Sequence, residues 1–109
     1  MQPNRLRRAV WAPMILMLLA VAPQAHAGGA TIVIKNFDFA PMTLTVPAGT
    51  SVTWKKLDEE PHTVTSIDGA FKSGAIDGDE SYTFKFDKPG AYKYLCSIHP
   101  KMRAAIIVK

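Results

Sequence analysis

The sequence has one cysteine, Cys96, and only three histidines in 109 residues. A lone cysteine excludes an internal disulfide, so the thiol is buried and inert, shared with another chain, or chemically engaged. No segment carries a helical apolar period, which argues against a helical bundle. No apolar run reaches the roughly 20 residues of a spanning helix; the longest, Ala9–Pro23, is broken by Pro13. The formal charge of +4 is also misleading as a sign of nucleic-acid binding. Three of the thirteen basic residues, Arg5, Arg7 and Arg8, lie at the extreme N-terminus, and residues 28–109 carry ten basic against nine acidic side chains.

What the N-terminus does contain is a pattern for export. The basic MQPNRLRR precedes a short apolar stretch, then Ala25-His26-Ala27 and Gly28-Gly29. A charged start, an apolar core and a small-x-small site describe a secretory signal peptide. The expectation is cleavage after Ala27, residues 1–27 as signal, 28–109 as a single domain, and a periplasmic location. The rival is an uncleaved membrane anchor. A domain of this size has a marginal core, so a bound metal would contribute to its stability. Nothing suggests more than a monomer. Cleavage removes His26 and three of the five methionines, leaving His62, His99, Cys96, Met42 and Met102.

The remaining sequence is written in short strands. Thr31–Asn36, Met42–Val46, Ser51–Lys56, His62–Ser66, Ser81–Phe86, Ala91–Cys96 and Arg103–Val108 are β-branched or alternating. Turns such as Pro47-Ala48-Gly49 and Asp87-Lys88-Pro89-Gly90 separate them. This pattern predicts an all-β chain, an antiparallel sandwich or barrel. Val52 and Trp54 share one strand face, as do Tyr82, Phe84 and Phe86, and Tyr92, Tyr94 and Cys96.

The chemistry concentrates in Cys96-Ser97-Ile98-His99-Pro100-Lys101-Met102. Extended, Cys96 to Met102 would span roughly 20 Å, so a shared ion requires the segment to fold back, and Pro100 suits such a turn. His62, after the polar run Asp58-Glu59-Glu60-Pro61, is the other histidine outside the signal segment. A thiolate, two imidazoles and a weak axial thioether are the ligands of a blue-copper electron-transfer site. Taken singly, each residue has a plainer reading: a core cysteine, a packing methionine, surface histidines. Together they would have to converge by chance. Zinc, which also takes Cys and His, and a Cys96 nucleophile activated by His99 remain as rivals, disfavoured by Met102 and by the lack of an evident substrate cleft. Met42 has no ligand-spaced neighbour and reads as core or surface packing.

The segment YKYLCSIHPKMRAAIIVK resembles the copper loop and last strand of cupredoxins, the type 1 blue-copper proteins, and its Cys-x-x-His-x-x-Met spacing is similar to that of the short-loop, amicyanin-like members. VPAGTSVTWKKLDEEPHTVTS resembles the region around their first histidine. The resemblance implies a Greek-key β-sandwich of about eight strands and one copper ion held by His62, Cys96, His99 and Met102. It implies that His99 is the partly exposed ligand through which electrons pass. It further implies that the Thr63 N–H bonds the Cys96 sulfur and that the Thr63 hydroxyl braces Cys96-Ser97. Two residues depart from the amicyanin pattern. Ile98 replaces a proline and keeps an N–H, a second hydrogen-bond donor expected to reach the thiolate and raise the potential. Lys101 replaces an aromatic, leaving a smaller apolar docking patch around His99. The acidic run 58–60 reads either as a solvated loop or as a docking feature.

The resulting expectation is a one-electron carrier, not an enzyme, cycling Cu(II)/Cu(I) between redox partner proteins such as a dehydrogenase, cytochrome or oxidase. The alternatives are a copper-handling chaperone or buffer with the same fold, and an auxiliary domain docked on an oxidase.

Overall fold

A computed structural model describes residues 28–109. The expected signal peptide, residues 1–27, lies outside the described residues. Eight strands form two four-stranded sheets. They are β1 (Gly29–Lys35), β2 (Asp38–Ala40), β3 (Thr43–Val46), β4 (Thr50–Lys56), β5 (Thr65–Ser66), β6 (Ser81–Phe86), β7 (Gly90–Leu95) and β8 (Arg103–Val108). One sheet has the order β2-β1-β4-β6 and the other β3-β8-β7-β5.

The sheets are mixed, which corrects the antiparallel expectation. β1 pairs parallel with β4, Ile32 opposite Trp54, and β3 pairs parallel with β8, Leu44 opposite Ile106. Parallel neighbours need a crossover connection. Between β1 and β4 the chain leaves for the other sheet as β3 and then returns, which supplies one. The turn before β4 uses Gly49 at φ 94°, a conformation suited to glycine, and the Gly49 amide donates to the Phe86 carbonyl at 2.7 Å.

Alternation along the strands turns one side chain in two inward. Ile32, Ile34, Val52, Trp54 and Phe86 from the first sheet meet Val46, Tyr94, Ile106 and Val108 from the second, all buried. Trp54 sits at the centre, with ring centroids 5.5 Å from Tyr94 and 5.7 Å from both Phe71 and Tyr82. Truncating such a side chain to alanine removes about 3–5 kcal/mol. Phe71 is buried from the long β5–β6 connection, where Thr65 and Lys72 form a single bridge. Met42, read as core or surface packing, lies on the surface.

Two strand assignments differ from the sequence pattern. Asp38–Ala40 is a strand that three residues could not announce. Conversely, of the predicted strand His62–Ser66, only Thr65–Ser66 joins a ladder. His62 instead exchanges backbone bonds with Ile76, and the Thr63 amide is given to a sulfur.

Candidate metal centre

The β7–β8 loop is closed from within. The Cys96 amide donates to the Met102 carbonyl at 3.1 Å, and the Met102 amide donates to the His99 carbonyl at 2.9 Å. Cys96 and Met102 thereby flank the mouth of the loop, both buried, with His99 half-buried between them. His62 arrives from the β4–β5 connection with no exposed surface.

His62, Cys96 and His99 come together with one donor atom from each within 4.8 Å of the others. Cys96 Sγ is 3.8 Å from His62 Nδ1 and 3.7 Å from His99 Nδ1. An ion bonded to sulfur at about 2.3 Å and to nitrogen at about 2.0 Å puts these atoms about 3.7 Å apart at a trigonal angle and about 3.5 Å at a tetrahedral one. Both observed separations are compatible with donors that share one ion.

Thr63 supports the sulfur and the loop together. Its N–H donates to Cys96 Sγ at 3.3 Å. Its Oγ1 accepts the Ser97 N–H at 2.7 Å and lies 2.9 Å from the Ser97 and Thr65 hydroxyls. The expected second donor to sulfur does not appear: among the described residues, the Ile98 N–H makes no bond to Cys96. The loop is held through the Ser97 amide and the Met102–His99 turn, and Ile98 lies exposed beside His99.

Three contributors were not legible in the sequence. The Asp58 carboxylate lies 2.9 and 3.1 Å from His62 Nε2. An ionised carboxylate only accepts, so Nε2 carries a proton, and in the neutral ring the lone pair then lies on Nδ1, facing the sulfur. Beside Asp58 stands Lys56, its side chain fully buried, with Nζ 3.7 Å from the carboxylate and bonded to the Asp58 carbonyl. Burial pushes the Asp58 carboxyl up, but the hydrogen bond and charge of His62, the Glu60 amide and the Lys56 ammonium outweigh it and hold the group below its ordinary value. The acidic run therefore divides: Asp58 serves the site, while Glu59 and Glu60 are exposed. Finally, Phe37 from the β1–β2 turn places its ring edge-on to both imidazoles.

Comparison with known proteins agrees with this arrangement. The Cupredoxin-like domain family matches residues 8–108. The chain belongs to the cupredoxin-like family. It is 29% identical over 96 residues to amicyanin-alpha of Methylorubrum extorquens, covering 84% of this chain and 81% of that protein. Among solved structures, a purple cupredoxin from Nitrosopumilus maritimus superposes with a TM-score of 0.69 at 33% identity, covering 73% of this chain and 99% of that one. A Cu(I) form of an amicyanin mutant gives a TM-score of 0.71 at 26% identity, covering 78% of this chain and 86% of that one. The cofactor of this cupredoxin is one copper ion, and His62, Cys96 and His99 form a potential site for it. Their soft and borderline donors suit that metal.

Proposed function

We propose that this cupredoxin is an exported one-electron carrier with a type 1 copper centre that His62, Cys96, His99 and Met102 would hold. The observation that carries the reading is the convergence of the Cys96 sulfur and two imidazole Nδ1 atoms at 3.7 and 3.8 Å, beside a buried Met102. A bound copper supplies a Cu(II)/Cu(I) couple.

The protein's own part is to keep its donors still. Asp58 fixes the His62 tautomer, Thr63 holds the sulfur and the Ser97 amide, and the internal bonds of the loop set Cys96 against Met102. A donor set that is already positioned needs little rearrangement when its charge changes. Buried His62 is closed to partners, whereas His99 is partly accessible, with Ile98 and Phe37 exposed nearby. His99 is therefore the point of electron exchange with redox partner proteins, a dehydrogenase, cytochrome or oxidase, which dock transiently. Export to the periplasm, cleavage after Ala27 and action as a monomer complete the reading. Among the described residues no helix is long and apolar enough to cross a membrane.

Voltammetry of the copper-loaded domain tests this function. Reversible one-electron waves and rapid self-exchange are expected. Irreversible waves with ready transfer of Cu(I) to an acceptor protein would favour copper handling instead.

A further inference from the structure

The β1–β2 hairpin turns through two residues, Asn36 at φ 55° and Phe37 at φ 59°, with Lys35 paired to Asp38 across the turn. A two-residue turn with both central residues at positive φ is the type that favours Asn followed by Gly. Asn36 conforms. Phe37 stands where glycine is preferred, and a bulky side chain in this region is a conformational outlier. Its ring is also half exposed, at 50%, so burial in the core does not explain its presence.

The ring's contacts do. Its centroid is 5.0 Å from that of His99 at an interplanar angle of 81°, and 5.8 Å from that of His62 at 83°. Both are edge-on arrangements of the favourable kind. The two imidazoles are 5.1 Å apart, so Phe37 spans the pair. Among the described residues no other aromatic ring touches either imidazole. A strained turn position, an exposed apolar ring and a double contact with the site are three costs or constraints with one common explanation.

We propose that Phe37 is a positioning residue, a cover that pins the His99 ring and slows the approach of outside ligands to the copper. This rests on the copper-site reading above. It assigns to the hairpin turn a role in metal retention that is separate from holding the fold together.

Phe37→Gly tests it, because glycine suits the turn and the variant is expected to fold. Three measurements are compared with the parent protein. The metal-free variant should melt at or above the parent's temperature. In the same metal-free protein, NMR relaxation should show a more mobile His99 ring. The copper-loaded, reduced variant should lose Cu(I) to bathocuproine disulfonate about tenfold faster, the factor that matches loss of two aromatic edge contacts. Phe37→Leu, which keeps bulk without the ring edge, should fall between. An unchanged stripping rate, an equally rigid His99 ring, or a metal-free variant melting well below the parent would each overturn the proposal. If the parent protein bound no copper, the functional reading would fail, and the ring-mobility comparison would still decide what Phe37 does.

Discussion

The Asp58 carboxylate lies 2.9 Å from Nε2 of His62, and the opposite nitrogen of that ring points to the Cys96 sulfur at 3.8 Å. The buried Lys56 ammonium lies 3.7 Å from the same carboxylate. A negative and a positive side chain thus adjoin one imidazole. Such partners orient a ligating histidine and adjust its basicity.

Opposite changes of charge at this pair should move the reduction potential in opposite directions. Asp58→Asn removes a negative charge that favours Cu(II) and should raise the potential. Lys56→Met removes a positive charge and should lower it. Voltammetry of both variants checks this, and shifts of the same sign would refute it. Asp58→Asn should also destabilise the metal-free fold, because Lys56 would keep a buried charge without its counter-ion. Breaking a fully buried pair costs roughly 3–5 kcal/mol. Asp58 is partly exposed and the pair is loose at 3.7 Å, so a smaller loss of about 2 kcal/mol is expected in chemical denaturation.

Thr63 separates loop support from sulfur bonding. Thr63→Val keeps the backbone N–H on Cys96 but leaves the Ser97 amide without its acceptor. A loss of about 1–3 kcal/mol in stability is expected, with the potential little changed. Thr63→Ser should recover most of the stability. A large shift in potential for the valine variant would show that the hydroxyl, and not the amide, tunes the sulfur.

Alkali should act through Tyr94. Burial pushes this phenol far above its ordinary value of 10.0, and the neighbouring Trp54 indole N–H acts against it. A group whose folded pKa is raised contributes full stability below its unfolded pKa. The unfolded chain ionises first, so stability is lost as pH climbs above about 10. The Tyr94 phenolate should therefore appear only together with cooperative unfolding. The Tyr94 hydroxyl is buried near the Trp54 indole N–H, but no hydrogen bond of good geometry satisfies either group among the described residues. Tyr94→Phe removes that unpaired group, so it should cost nothing or stabilise by up to about 1 kcal/mol and flatten the alkaline loss. Urea titrations at neutral and alkaline pH measure both effects. A clear destabilisation at neutral pH would mean that the hydroxyl has a partner.

The sandwich was legible because its long strands alternate, and the approach of Cys96 and His99 was legible because one short loop carries both. Other features depend on distant chain segments. The parallel pairing of β1 with β4 follows from the route through the second sheet, which no local pattern encodes. β2 is too short to show a period. His62 and Thr63 look like strand residues, yet their backbone groups bond Ile76 and the Cys96 sulfur. Asp58 sits in an acidic run that reads either as a solvated loop or as a docking feature, and only the folded loop turns it inward to His62. Phe37 falls outside the strands the sequence predicts, and only the folded turn, with its positive φ and two imidazole contacts, gives it a place at the site.

The most direct test of the account is the visible spectrum of the copper-loaded domain beside that of Cys96→Ser. A Cu(II)–thiolate site predicts an intense blue charge-transfer band in the parent protein that disappears in the serine variant. A parent protein without an intense visible band, or a band that survives the loss of the thiol, would contradict a copper centre built on Cys96.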